Sequence, residues 1–196
     1  MHRTIFDTPG VNTVLRTLSV AILKLTGWKL EGSLPPNGTK SVLIAAPHTS
    51  NWDLPYTLMV AFAFQLRIYW MGKAQIFRPP FRGLMMWLGG IPIARESSNN
   101  VVAASIEAIQ SAKGPLQLVL SPEGTRSKVR HWKTGFYFIA TGAGVPIVMT
   151  YLDYGSKRAG IGPVFQPTGD LEKDMLAIRT FYEPFKGKNP TQSGMD

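Results

Sequence analysis

Short apolar runs alternate with stretches of helical spacing along this chain, and that alternation narrows its fold more than any other feature. Residues 41–46, 67–71, 91–94, 116–120, 146–152 and 161–165 read as strands. Between and after them, residues 52–65, 98–113, 133–141 and 170–182 read as helices. Such an alternation predicts an α/β fold, a single domain with a largely parallel central sheet flanked by helices. A length of 196 residues suits one domain spanning 1–196.

The chain opens on an expected N-terminal amphipathic helical segment, residues 1–32. Val11, Val14, Leu15, Leu18, Ile22 and Leu25 fall at helical intervals, with Arg16 and Lys24 among them. A helix of this kind either packs on the core or lies apolar face down in a lipid interface. Residues 32–40, with Pro35, Pro36, Asn37 and Gly38, read as a turn. The catalytic α/β core is expected over 41–165, and residues 186–196 as a loose tail.

Parallel sheets of this class place their ligand site outside the carboxyl ends of the strands. Two polar loops follow strands in that way, residues 47–53 and 121–130. In the first, His48 leaves a buried strand, and Asp53 lies in the first turn of the next helix, where the helix dipole favours a carboxylate. Ser50 or Asn51 is the expected cap of that helix. A loop curling into a helix can return the carboxylate to the imidazole, hold one ring nitrogen protonated and leave the other as a base. No protein nucleophile is needed if one substrate is already chemically activated. A single base then suffices, and it contributes about 10² to 10⁴-fold. Alone, a His with an Asp five places on is a weak signal, and a structural histidine explains it as well.

The second loop reads Ser121-Pro122-Glu123-Gly124-Thr125-Arg126-Ser127. Its glycine permits a positive φ or a close backbone approach. Arg126 is a fork-shaped donor suited to phosphate or carboxylate. Glu123 is placed to hold Arg126 or to accept from a substrate hydroxyl. Taken by itself the segment is also a capped polar turn; beside His48 it reads as an anion site.

The two loops resemble blocks of one family. His48-Thr49-Ser50-Asn51-Trp52-Asp53 is similar to the H-x4-D block of the glycerolipid acyltransferases, the lysophosphatidic acid acyltransferase superfamily. Residues 121–127 resemble its PEGTRS block. Gly90-Ile91-Pro92-Ile93-Ala94-Arg95 resembles the intervening block that ends in arginine, and Val145-Pro146-Ile147-Val148 the last one. Ser121, Ala94, Met149 and Thr150 depart from the usual residues, which leaves the acceptor open. The resemblance implies His48 as general base and Asp53 as its orienting partner. It implies acceptor and phosphate binding by Glu123, Gly124, Thr125 and Arg126, with Arg95 and Lys73. The implied reaction takes a fatty acyl group from acyl-CoA or acyl-acyl carrier protein to a lysophospholipid hydroxyl, by default that of 1-acyl-glycerol-3-phosphate. No metal or bound cofactor is implied.

Composition bears on where such a reaction takes place. A formal charge of +9 suits an anionic membrane, phosphorylated small molecules or nucleic acid. The absence of cysteine excludes disulfides and thiol nucleophiles. Residues 77–90 set Phe81, Met85, Met86 and Trp87 among Arg78 and Arg82, a basic rim around an apolar centre that suits a lipid interface. No run reaches the about 18 apolar residues of a spanning helix, and the start lacks a signal-peptide pattern. The expectation is a peripheral protein on the cytoplasmic face of the cell membrane. Alternatives are an O-acyltransferase with another acceptor, such as glycerol 3-phosphate, or a non-catalytic basic protein on anionic lipid or nucleic acid. The basic residues are scattered and form no nucleic-acid motif, so no nucleic-acid partner is expected.

Overall fold

The computed structural model describes residues 3–8, 10–33, 40–93 and 98–192, and in it the apolar runs become strands of one sheet. In chain order the elements are α1 (Val11–Leu25), β1 (Lys29–Glu31), β2 (Ser41–Ala46), α2 (Asp53–Ala63), β3 (Ile68–Lys73), α3 (Arg82–Trp87) and β4 (Gly90–Ile93). They continue with α4 (Ser98–Ser111), β5 (Gln117–Leu120), α5 (Gly135–Ala143), β6 (Ile147–Asp153), β7 (Arg158–Phe165) and α6 (Leu171–Tyr182). The seven strands are ordered β1-β7-β6-β2-β5-β3-β4. The block from β6 to β4 is parallel, β7 is antiparallel to β6, and β1 runs with β7. The fold is therefore the α/β architecture expected, with both faces of the sheet covered.

Side chains along β2 alternate between the two faces, as the strand period of two requires. Val42, Ile44 and Ala46 meet Ile109 of α4, Phe136 of α5 and Ile178 of α6. Leu43 points the other way, toward Phe62 of α2, with Leu15 of α1 and Met85 of α3 packed on the same cluster. Tyr182 fastens α6 to the sheet centre. Its buried hydroxyl lies 2.9 Å from the Ile44 carbonyl and 3.1 Å from that of Thr150, so a buried donor is satisfied between β2 and β6.

Several expectations are corrected. β1 was not anticipated, because three residues are too few to show alternation. β7 begins at Arg158 and reverses direction, since the short turn 154–157 permits a hairpin and not the crossover that a parallel return needs. Neither Ser50 nor Asn51 caps α2; Trp52 holds the cap position without a side-chain bond. The tail is not loose from residue 186. Lys186 N donates to Asp153 Oδ1 at 3.0 Å, and Asn189 N to Thr49 Oγ1 at 3.1 Å. Ala94 and Arg95, and most of the expected turn at 32–40, lie outside the described residues.

α1 carries two apolar stripes rather than one. Leu23 and Ser19 are buried, and Val11 and Leu15 lean on the core. Val14, Leu18, Ile22 and Leu25, spaced three and four apart, face solvent, Leu25 at 87% exposure. Trp87 Nε1 donates to Thr8 Oγ1 at 3.2 Å, which ties the end of α3 to the chain leading into α1. Phe81, Leu84 and Trp87 are exposed there as well. Met85 and Met86 are half-buried and pack against the core, so of the four apolar candidates only Phe81 and Trp87 face outward. Among the described residues no helix is long and apolar enough to cross a membrane.

Candidate active site

Three adjacent parallel strands, β6, β2 and β5, deliver the site at their carboxyl ends. β2 hands over to the loop bearing His48, and α2 begins on Asp53. His48 Nδ1 and Asp53 Oδ2 are 2.9 Å apart. The same Oδ2 accepts from Thr49 N and Ser50 N, each at 2.9 Å. Asp53 Oδ1 accepts from the Tyr154 hydroxyl at 2.9 Å. The carboxylate thus takes the two loop N–H groups as well as the ring, and Ser50 Oγ accepts from Trp52 N at 3.2 Å.

Burial alone would raise the Asp53 carboxyl. Hydrogen bonds from the His48 ring, the Ser50 N–H and the Tyr154 hydroxyl outweigh it and hold the group below its ordinary value. An ionised Asp53 accepts only, so Nδ1 carries the proton and Nε2 is the basic nitrogen. The His48 side chain is 33% exposed, against 7% for Asp53. Among the described residues none hydrogen-bonds Nε2. A core histidine with both nitrogens engaged, the bland reading of this position, is excluded.

Glu123 makes a contact that neither expected role includes. It does not grip Arg126; its Oε2 accepts from His48 N at 2.8 Å and lies 3.2 Å from Ser121 Oγ, which donates to it. Only 6% of the residue is exposed. The carboxylate therefore braces the His48 loop from beneath, and Ser121, a departure from the family block, supplies a donor to it. Burial, the largest influence, pushes the Glu123 carboxyl up to about 7 against these bonds.

A raised carboxyl has a definite sign. Between about 4.5, its ordinary value, and about 7, the folded protein holds a proton that the unfolded chain has lost. Stability therefore falls as pH rises across that window. Asp53 and Asp153 act oppositely and lower down: their contribution is present above about 3.8 and is lost as pH falls below it. Urea unfolding at a series of pH values should show the Glu123 slope, worth at most about 3 kcal/mol. Glu123→Gln should flatten it; an unchanged slope would mean that the proton sits elsewhere.

The rest of the second loop lies near the surface. Gly124 has a φ of +64°, a left-handed conformation that favours glycine, and the flexible end of the Lys133 side chain lies over it. Thr125 is half-buried and Arg126 exposed. Lys73 is exposed at the carboxyl end of β3, the neighbour of β5. The structure thus brings together His48, Asp53 and Glu123, places Thr125 and Arg126 on the same loop as Glu123, and leaves Lys73 one strand further along.

Sequence reasoning missed the residues that join the two loops. Asn189 Nδ2 donates to the Thr49 carbonyl at 2.9 Å. Gln192, with its amide nitrogen turned toward them, donates to the carbonyls of Thr49 and Arg126, 3.0 Å each. Gly187 lies so close to Thr49 that a Cβ would stand 2.5 Å from its Oγ1. Lys188 rests over the rings of Trp52 and Tyr154 at 5.9 and 5.5 Å. Among the described residues no group of three His, Cys, Asp or Glu side chains could hold a metal ion.

Comparison with known proteins points to one family. The profile of the family described as Acyltransferase matches residues 29–152, which include both loops. The chain is 29% identical over 133 residues to the 1-acyl-sn-glycerol-3-phosphate acyltransferase of Haemophilus influenzae, covering 63% of this chain and 53% of that one. It is 29% identical over 144 residues to the protein of that name from Escherichia coli K12, and 27% to that from Salmonella typhimurium, covering 70% of this chain and 58% of each relative. The matched stretch therefore spans little more than half the length of these relatives.

Proposed function

This chain belongs to the acyltransferase family, and from that premise we propose that it moves a fatty acyl group from a thioester donor to the free hydroxyl of a lysophospholipid. The observation that carries the proposal is the 2.9 Å contact between His48 Nδ1 and an ionised, hydrogen-bonded Asp53, on a ring that is one-third exposed and whose Nε2 bonds none of the described residues. His48 Nε2 takes the proton of the acceptor hydroxyl as its oxygen attacks the thioester carbonyl carbon. The tetrahedral intermediate collapses, the C–O ester bond remains, the C–S bond breaks, and the thiolate leaves with the proton from the imidazolium. Asp53 stays ionised and holds the ring through Nδ1. Arg126, exposed on the neighbouring loop, is the proposed contact for an acceptor phosphate. The names of the relatives support 1-acyl-glycerol-3-phosphate as the acceptor, and acyl-CoA or acyl-acyl carrier protein serves as donor.

The exposed apolar stripe of α1, and the exposed Phe81, Leu84 and Trp87 at α3, support contact with a membrane surface. Drawing a sixteen-carbon chain wholly into water costs on the order of 10 kcal/mol, at roughly 0.8 per methylene. An enzyme that meets its acceptor at the interface avoids most of that cost.

One experiment tests both parts. Acyl transfer from palmitoyl-CoA is measured with lysophosphatidate, glycerol 3-phosphate and a neutral lysolipid, each presented with anionic vesicles. Product should form with lysophosphatidate at least about tenfold faster than with the neutral lysolipid, the difference one charge-assisted contact makes. The protein should also sediment with the vesicles. Absence of transfer to every acceptor, from acyl-CoA and from acyl-acyl carrier protein alike, refutes the activity. Transfer without sedimentation refutes only the membrane contact.

A further inference from the structure

Tyr154 stands where the chain leaves β6, the strand beside β2, and 101 residues from the carboxylate it touches. Three of the four contacts to Asp53 fall on Oδ2, namely the His48 ring and the N–H groups of Thr49 and Ser50. The fourth, from the Tyr154 hydroxyl, is made to Oδ1. The final torsion of an aspartate is soft and roughly two-fold. A carboxylate held by one oxygen can tilt about that oxygen; one held at both cannot.

Tyr154 is itself fixed from every side. Its N–H donates to the Lys186 carbonyl at 2.9 Å. Its ring lies edge-on to Trp28 at 5.1 Å and to Tyr56 at 5.7 Å, and the Lys188 ammonium sits 5.5 Å from the ring centre. The hydroxyl therefore comes from a rigid cluster rather than from a mobile loop. A tyrosine at this place could have filled the aromatic cluster with its oxygen in solvent, but the oxygen is aimed at Oδ1.

We infer that Tyr154 is a positioning residue for the proposed reaction: by holding Asp53 Oδ1 it fixes the plane of the carboxylate and, through it, the direction in which His48 Nε2 points. This rests on the reading of His48 as the base. A tilted carboxylate lets the imidazole turn out of line with the acceptor hydroxyl without loosening the binding of either substrate. The cost therefore falls on the chemical step.

Tyr154→Phe keeps the ring in its cluster and removes one oxygen. With palmitoyl-CoA and lysophosphatidate, kcat should fall about tenfold while both KM values stay within about twofold, the pattern of a contact that matters only in the transition state. In an Asp53→Asn background the same substitution should cost nothing further, because the amide no longer enforces the ring proton through which the Tyr154 hydroxyl acts. Tyr56→Phe, which removes a hydroxyl from the same aromatic cluster, should leave kcat unchanged. An unaltered kcat in Tyr154→Phe, a change confined to KM, or an equal loss in the Asp53→Asn background overturns the inference. Should His48→Ala turn over as fast as the wild type, the base assignment itself fails, a result distinct from these.

Discussion

His48→Ala should lower kcat by about 10² to 10⁴-fold and leave the fold as it was. The loss follows from removing the group that takes the hydroxyl proton, a contribution of about that size for a positioned general base. The second half of the expectation is as informative as the first. His48 is 33% exposed, so its truncation opens no core cavity. Asp53 keeps Thr49 N, Ser50 N and the Tyr154 hydroxyl, so no buried charge is stranded. Glu123 holds the backbone N–H of residue 48, which alanine retains. The urea midpoint should therefore shift by less than about 1 kcal/mol in stability, as for a surface substitution. Turnover within tenfold of the wild type would remove the imidazole from the mechanism.

Asp53→Ala should lose activity to a similar degree and, unlike His48→Ala, lose stability too. Four donors point at this carboxylate: the His48 ring, two loop N–H groups and the Tyr154 hydroxyl. Asp53 is 5% exposed, and Thr49 and Ser50 are buried beside it, so water cannot fully replace the lost acceptor. Leaving buried donors unsatisfied costs about 1–3 kcal/mol each at most, and a loss on the order of 3–5 kcal/mol is expected for the set. Asp53→Asn separates the two effects. An amide retains one acceptor oxygen and most of the shape, so the stability cost should be smaller. It no longer enforces a proton on Nδ1, so kcat should still fall by about three to four orders of magnitude. Equal stability of Asp53→Ala and the wild type in urea would show that the loop is organised without the carboxylate.

What the chain disclosed in advance, and what it withheld, divides by distance along the backbone. His48 and Asp53 lie five residues apart at a strand-to-helix junction, and Glu123 opens the loop after another strand; local order alone makes such positions visible. The bond from His48 N to Glu123 is not legible in the sequence, because the two residues lie 75 positions apart. Tyr154 and Asn189 reach the site from 101 and 140 residues away, and nothing in their neighbourhoods marks them. For Tyr154 a usable signal did exist: it follows a predicted strand, at the sheet edge where ligand sites form. β1 is hidden for a different reason, since a three-residue edge strand takes its shape from its partner rather than from its own residues, and the reversal of β7 is set by the short turn before it.

The order of strands also bears on how the molecule comes into being. β2 is the middle strand of the seven-stranded sheet, yet both of its neighbours, β5 and β6, are encoded after it. As the polypeptide emerges from the ribosome, Val42–Leu43–Ile44 wait with no hydrogen-bonding partner until some seventy further residues have been made. Such a nascent chain offers an apolar edge to chaperones and to its own copies in the meantime, and slow, cool expression should favour the soluble product over aggregate.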